Sequence, residues 1–336
     1  MIQVGVIGYG YWGPIMVRNL VEVADVKLAV VSDVDAGRRE LVERRYPGVR
    51  TTADYNDILK DPSIDAVAII TPAATHYDIA MAALAHDKHI WVEKPLTESG
   101  DPGARLVDEA AKRNKILFCD HTFIYTGAVK KMREIVESGR LGKLHYYDSM
   151  RTNLGLYRPD VNVLWDLAVH DLSIMDYVLG QHPAGVSATG FGHVPGMPED
   201  MGFMSCFYNS ELAAHVNVSW ITPTKVRQTF IGGELQTILY DDNEPQEKVK
   251  VYDRGVKTAD TEGGKKRVVG YKNADIWTPA LDGSEALKVA VTAFAKSIQT
   301  GVKPVTDGEF GLRIVRIMEA AIQSVAKRGA YVEIAR

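Results

Sequence analysis

Cysteine is scarce in this 336-residue chain: Cys119 and Cys206 stand far apart and form no C-x-x-C pair. A disulfide framework is excluded, and two buried thiols in a reduced, cytoplasmic protein are the simple expectation. No His or Cys pair shows ligand spacing, so no metal is expected. Long apolar runs are also missing, and no stretch reaches the length of a bilayer span. The first residues open on a strand instead of a basic segment and an apolar core, so no signal peptide is expected. Charge of one sign is missing too. The 39 Lys and Arg against 43 Asp and Glu leave a formal net charge of −4, with both signs scattered. That balance argues against nucleic acid or a membrane surface as partner. No internal repeat or low-complexity segment occurs. What remains, 46% hydrophobic and 24% charged residues, is an ordinary globular composition at a length that suggests two domains or one large one.

The chain is organised around its first stretch. Met1–Ile7 is a short apolar run, Gly8-Tyr9-Gly10-Tyr11-Trp12-Gly13 follows at once, and Pro14–Val23 has helical spacing. Strand, glycine turn and helix are the context in which G-x-G-x-x-G binds a dinucleotide. Gly8 permits the turn, Gly10 lets a pyrophosphate approach backbone, and Gly13 lets helix pack on strand. The helix start offers N–H groups and a positive dipole end to phosphate. The next apolar run ends at Asp33, twenty residues after Gly13, where a carboxylate can accept both hydroxyls of an adenosine ribose. Asp33 would repel a 2′-phosphate, so NAD is expected. Arg38 and Arg39 lie close enough in sequence to accommodate NADP.

Strand and helix patterns alternate as far as Ile116–Cys119, which predicts a doubly wound α/β domain over residues 1–120. Ile64–Ile70 is fully apolar, as a buried parallel strand must be. From Ala184 to Arg254, runs of alternating polarity separated by short turns predict an antiparallel sheet. Helices are expected over Leu164–Leu179, Glu285–Ser297 and Asp307–Lys327, with Thr306 capping the last. Residues 121–336 are therefore expected to form an α+β domain with helices on one face of an open antiparallel sheet. The other face would expose apolar and aromatic residues, so a homodimer or homotetramer joined through it is expected. The polar stretch Thr258–Lys272 reads as a solvated hairpin tip, or as a loop over the substrate or an oligomer contact.

Glu93-Lys94-Pro95 follows a predicted parallel strand, at the edge where open α/β sheets bind ligands. Lys94 there can reach the nicotinamide end of a dinucleotide, and Pro95 restricts its backbone. Asp166 and His170 stand at i and i+4, on one side of a helix, and a carboxylate beside an imidazole orients the ring for proton transfer. His76 lies near the cofactor or caps its helix, and His121 follows the last strand of the first domain. Ahead of the Asp166 helix, Arg151, Asn153, Tyr157, Arg158 and Asn162 supply donors suited to sugar hydroxyls, carboxylates or phosphates, with Arg158 the candidate for an anionic group.

Together these residues resemble the Gfo/Idh/MocA family of oxidoreductases over nearly the whole chain. The resemblance rests on the glycine motif, on Thr71-Pro72 through Thr75-His76, on Glu93-Lys94-Pro95 and on Asp166 with His170. It implies a Rossmann domain followed by an open-sheet domain, NAD or NADP as cofactor, and hydride transfer at a secondary alcohol or ketone of a sugar or polyol. The implied cofactor residues are Gly8, Gly10, Tyr11, Trp12, Gly13, Asp33, Thr71, Pro72, His76, Glu93 and Lys94. Lys94 becomes the active-site lysine, Asp166 and His170 the proton-handling pair, and Lys94, His170 and the donors from Arg151 to Asn162 the substrate contacts. Arg151-Thr-Asn-Leu-Gly and Val163-Leu-Trp-Asp-Leu-Ala are similar to a branch of nucleotide-sugar 3-dehydrogenases. The chain departs from that branch at Val169, where proline is usual, and at Glu285-Ala286. An inositol or free-sugar dehydrogenase is the alternative within the family. A non-catalytic dinucleotide sensor or scaffold is the alternative outside enzymes, and it would need none of Lys94, Asp166 and His170.

Overall fold

Apolar runs too short for helices become strands, and the longer amphipathic stretches between them become their crossovers. In chain order these are β1 (Ile2–Ile7), α1 (Gly13–Glu22), β2 (Val26–Ser32), α2 (Ala36–Arg45), β3 (Arg50–Thr52), α3 (Asn56–Leu59), β4 (Ala66–Ile69), α4 (His76–Ala85), β5 (His89–Glu93), α5 (Gly100–Lys112) and β6 (Leu117–Asp120). The computed structural model describes residues 1–155, 157, 159, 161–253, 256–260, 267–271 and 275–335. The six strands form one parallel sheet in the order β3-β2-β1-β4-β5-β6. This is a doubly wound sheet whose order reverses between β1 and β4. Every residue of β4 is buried, as helices on both faces require.

The second stretch holds α6 (Gly127–Glu137), β7 (Leu144–Thr152), α7 (Val169–Leu179), β8 (Gly185–Phe191), β9 (Met201–Phe207), β10 (Ala213–Ser219), β11 (Val226–Gly233), β12 (Thr237–Asp241), β13 (Val249–Tyr252), β14 (Val256–Asp260), β15 (Arg267–Tyr271) and β16 (Ile276–Trp277). With β17 (Val332–Glu333) they build a nine-stranded sheet in the order β16-β13-β12-β11-β7-β10-β9-β8-β17. The sheet is mixed and not purely antiparallel, because β7 and β10 run parallel. The chain between them crosses through α7 and the β8–β9 hairpin, and a parallel neighbour requires such a crossover. Within Thr258–Lys272, β14 and β15 pair as an antiparallel ribbon, and their connection, residues 261–266, lies outside the described residues.

The C-terminal helices are α8 (Ala286–Thr300) and α9 (Gly308–Ala326). They correct the expected domain division. One unit comprises Met1–Tyr125 and Ser284–Arg316, the other Thr126–Gly283 and Ile317–Arg336. The first crossing falls close to the expected residue 120, but α8 and the first half of α9 return to the Rossmann unit. Packing explains the return. Trp91 of β5 stacks on Phe118 of β6 with ring centroids 4.1 Å apart, and Phe294 of α8 closes edge-on against both at 5.6 Å. Glu285, just ahead of α8, accepts from Arg18 (3.0 Å) and Asn19 (3.1 Å) of α1. The cap of α9 is Asp307, whose carboxylate accepts from Phe310 N at 2.9 Å. Thr306 is instead buried, its hydroxyl 3.0 Å from that of Tyr125.

Candidate active site

In the Rossmann unit the candidate residues gather at the C-terminal ends of the parallel strands. Gly8 follows β1, with φ at +98°, a left-handed conformation that suits glycine. A Cβ there would stand 2.5 Å from the carbonyl oxygen of Ile70, and one on Gly13 would stand 2.9 Å from that of Gly8. Gly10 differs: a Cβ would meet nothing closer than the Arg38 guanidinium at 3.7 Å. The turn is therefore closed against its own backbone at Gly8 and Gly13 and open at Gly10, where a pyrophosphate would rest. No side chain caps the start of α1, which leaves amides of its first turn for phosphate. Tyr11 is 94% exposed at the tip of this loop.

Asp33 is buried after β2. Its carboxylate accepts from Tyr9 N at 2.7 Å and Asp35 N at 2.9 Å, and Arg38 approaches at 3.5 Å. These amides fix the carboxylate beside the glycine loop and leave lone-pair capacity for ribose hydroxyls. Arg39 is spent on the carbonyls of Asp33 (2.7 Å) and Val34 (3.0 Å). Of the two arginines, Arg38 is therefore the one placed to meet a 2′-phosphate. Open backbone at Gly10, an uncapped helix start and a fixed carboxylate together fit a bound dinucleotide.

Thr71 and Pro72 follow β4, and the Thr75 hydroxyl bonds to both, 2.7 Å to the Thr71 hydroxyl and 2.7 Å to the Pro72 carbonyl. His76 lies beneath them, 1% exposed. Its Nδ1 is 2.8 Å from the Pro95 carbonyl and its Nε2 2.9 Å from that of Thr71. A ring enclosed this way is not presented to a cofactor. His76 instead ties the Thr71–Pro72 turn to the backbone just past Lys94. Burial pushes its pKa down, so the neutral ring donates to one carbonyl at a time. Glu93 ends β5, and Lys94 follows it, half-buried and joined to Pro95 by a cis peptide bond.

In the second unit, Asp166 sits in a π-helical turn, Leu164–Ala168, that runs into α7. The simple i,i+4 face expected for Asp166 and His170 is thus modified by the wider winding. Asp166 accepts from the indole N–H of Trp220 at 3.1 Å. Asn162 is the cap of this turn: its Oδ1 accepts from Trp165 N (3.1 Å) and its amide donates to Glu199 (3.2 Å). Tyr157 donates to Asp200 at 3.3 Å, and its ring meets Trp220 edge-on at 5.8 Å. Asp200 is fully buried and also accepts from the backbone (2.8 Å) and Nδ1 (2.7 Å) of His193. Burial raises the Asp200 pKa but the His193 hydrogen bonds outweigh it, and the net direction is down. Trp220, Asp200, Glu199 and His193 were not anticipated from the sequence: Trp220 meets Asp166, Glu199 meets Asn162, and Asp200 meets Tyr157 and His193.

Arg151 is a correction. It is 4% exposed and forms a buried pair with Asp171 of α7, at 2.6 and 3.3 Å. Alternation along β7 places Tyr147, Ser149 and Arg151 on the buried face, so Arg151 does not reach out to substrate. Asn153 is exposed just past β7, its backbone N–H bonded to Ser219 O at 3.0 Å. Arg158 lies outside the described residues. Among those residues no group of His, Cys, Asp and Glu side chains is arranged as metal ligands, and no helix is long and apolar enough to cross a membrane.

A doubly wound sheet with this glycine turn defines a dinucleotide-binding fold. The chain belongs to the GFO_IDH_MocA oxidoreductase family with an NAD-binding Rossmann fold, matched over residues 2–121, and its later part matches the family's C-terminal domain over residues 129–239. The uncharacterized oxidoreductase YrbE of Bacillus subtilis is 28% identical over 97% of this chain and 94% of its own. A scyllo-inositol 2-dehydrogenase (NAD(+)) of the same organism is 32% identical over 56% of this chain and 57% of its own. A solved oxidoreductase from Magnetospirillum magnetotacticum MS-1 superposes with a TM-score of 0.80 at 26% identity, covering 95% of this chain and 99% of that one.

Proposed function

We propose that the chain is a sugar dehydrogenase or reductase that exchanges hydride between NAD and a ring CH–OH, with a nucleotide sugar oxidised or reduced at C3 as substrate. One observation carries the reading: Lys94 stands at the strand-end crevice of a dinucleotide fold, its turn tied to that of Thr71 by His76. The bound nicotinamide supplies the hydride acceptor or donor. His170 takes the hydroxyl proton as hydride leaves the carbon, and Asp166, held by Trp220, orients that imidazole or holds a neighbouring hydroxyl. The Lys94 ammonium stabilises negative charge developing on the oxygen. Reduction uses the same groups in reverse. Asn153 and Tyr157 supply sugar contacts, and Asn162 supports them by capping the turn that carries Asp166. The wording of Arg151–Gly155 and Val163–Ala168 favours the nucleotide sugar, whereas the scyllo-inositol 2-dehydrogenase relative favours an inositol. NADH absorbance with a panel of nucleotide sugars, inositols and free sugars separates the two. Turnover of inositols alone would overturn the nucleotide-sugar reading, and turnover of nothing would favour a non-catalytic sensor.

NAD is the proposed cofactor in preference to NADP, on the buried Asp33 carboxylate. We further propose assembly as a homodimer or homotetramer through the sheet of the second unit. Tyr146, Met150, Phe207 and Phe230 share one face of that sheet and are 38–43% exposed. A sedimentation mass of one 37.0 kDa chain at micromolar concentration would overturn this.

A further inference from the structure

The segment that carries Asp166 and His170 changes its winding between them. Leu164–Ala168 is a π-helical turn, and α7 continues from Val169 with ordinary α-helical winding. The angle between the two side chains is therefore set by where the wider winding ends. Such turns are rare, occur mostly as single turns within α-helices, and are frequent at functional sites. Both sides of the junction are tied down. Ahead of it, Val163 N bonds to the Glu199 carbonyl at 3.0 Å, and Trp220 donates its indole N–H to Asp166 at 3.1 Å. Beyond it, β7 holds Asp171, the residue that follows His170. Arg151 donates to the two oxygens of the Asp171 carboxylate at 2.6 and 3.3 Å, and the Tyr147 hydroxyl donates to the Asp171 backbone carbonyl at 3.1 Å. Tyr147, Arg151 and Asp171 are all buried. Packing of α7 does not explain this pair, because Val169, Leu172, Ile174, Met175, Val178 and Leu179 already bury an apolar surface. A hydrophobic pair of similar volume in the place of a buried ion pair is often neutral or stabilising. What the guanidinium fork adds is a fixed direction, which an apolar contact does not supply.

We propose that Arg151 and Tyr147 are positioning residues for His170: by holding the side chain and the carbonyl of Asp171, they fix the rotation of the first turn of α7 and with it the aim of the imidazole relative to Asp166. The proposal rests on the reading of His170 as the proton acceptor. Tyr147 acts on the main chain itself, one residue past the histidine, while Arg151 acts through the Asp171 side chain. Both stay in the required form. Burial pulls the Arg151 pKa down, but Asp171 outweighs it and the guanidinium remains charged. Burial pushes the Tyr147 phenol up, so it remains a donor. The other carboxylate near this interface, Asp242, has cations of its own in Arg227 at 3.1 Å and Lys248 at 3.0 Å. The His170 carbonyl is held in turn by the Ser173 hydroxyl at 2.7 Å, so the backbone on either side of the imidazole-bearing Cα is fixed.

The test uses two substitutions that leave the local charge unchanged. Arg151→Lys keeps the cation and loses the fork, and Tyr147→Phe keeps the ring and loses the bond to the Asp171 carbonyl. A change at His170 then reports geometry and not a lost charge. His170 is followed by imidazole carbon NMR on the full chain labelled at histidine, without cofactor or sugar, its resonance assigned by its loss in His170→Gln. In both variants its titration midpoint should move by about half a pH unit or more, while the midpoints of His193 and His215 stay where they are. On a sugar that the wild-type chain turns over, kcat should fall about tenfold or more, with KM and the NADH dissociation constant within about twofold of wild type. If Arg151→Lys does not fold, Tyr147→Phe decides alone. An unmoved His170 midpoint in folded variants overturns the proposal whatever happens to their stability, since a merely structural clamp would lower the unfolding midpoint and leave the imidazole as it was. Turnover lost in His170→Gln but kept in both β7 variants also overturns it and leaves the proton-transfer reading standing. Turnover kept in His170→Gln overturns that reading instead, and a moved midpoint would then show the tie without the chemistry.

Discussion

The two units present their chemistry in different ways. In the Rossmann unit the candidate groups stand at strand ends and are placed by backbone: a left-handed glycine, a carboxylate fixed by two amides, a lysine beside a turn that a histidine ties down. In the second unit they are placed by side chains that meet side chains just ahead of β9 or just past β10: Asp166 on Trp220, Tyr157 on Asp200, Asn162 on Glu199. Backbone placement is written locally in the sequence and tolerates variation nearby. Side-chain placement depends on register, and one substitution at a distance undoes it.

The largest expected effect tests the second arrangement where it is most buried. Arg151→Ala leaves the Asp171 carboxylate uncompensated within the sheet–helix interface, at a cost of about 3–5 kcal/mol. Denaturant unfolding should show it. The NADH dissociation constant, set in the Rossmann unit, should stay within about twofold in protein that remains folded. A stability loss under 1 kcal/mol would mean the pair is solvated and Arg151 free for substrate after all.

Lys94→Ala comes next. On the proposed role of Lys94 beside a developing alkoxide, removing its charge should lower kcat on the order of a hundred- to a thousandfold, with NADH affinity kept. His170→Ala should cost about a hundredfold or more and flatten the acidic limb of the pH–rate profile. If both losses appeared in KM instead, the groups would be binding substrate and not the transition state. In the second unit, Trp220→Phe keeps the ring packing against Tyr157 and deletes the N–H bond to Asp166. A hydrogen bond to a charged group is worth about 1.5–3 kcal/mol, so kcat should fall roughly tenfold or more. No change would place Asp166 outside the proton-handling machinery.

These differences explain what was legible in the sequence. Gly8, Gly10, Gly13 and Asp33 are picked out by spacing along one βαβ unit, and in the structure Asp33 accepts from Tyr9 N within the same glycine turn. The order of strands and helices through residue 120 was equally readable, because period and turn chemistry are local. Arg151 was misread although a signal existed: counting by twos from Tyr147 puts it on the buried face of β7. Trp220, Asp200 and Glu199 had no such signal, because nothing short of the register β7-β10-β9 brings residues so far apart in sequence together. The return of α8 to the first unit was invisible for the same reason, since Phe294 must find Trp91 and Phe118 across most of the chain.

The smallest effect sets two groups of the Rossmann unit against each other. His89 Nδ1 accepts from Ile116 N at 3.0 Å, which a protonated ring cannot do. Burial, with help from Lys115, pushes its pKa down from 6.5 to about 4. A lowered pKa means that the folded state prefers the neutral ring, so stability from His89 is present above 6.5 and lost as pH falls towards 4. Buried His76 has the same sign. Asp120 has the opposite one: its pKa is raised from 3.8 to about 6, so its contribution is full below 3.8 and lost as pH rises through 6. The two windows overlap and oppose, and the wild-type chain should change stability little between pH 6.5 and 4 on their account. His89→Asn should leave a chain that gains stability on acidification across that window, and Asp120→Asn one that loses it. Each difference should be about 1–2 kcal/mol, since the His89 ring is partly exposed. Urea midpoints at pH 6.5 and 4.5 measure it. Parallel slopes in the two variants would mean that neither group is buried as the Rossmann unit presents them.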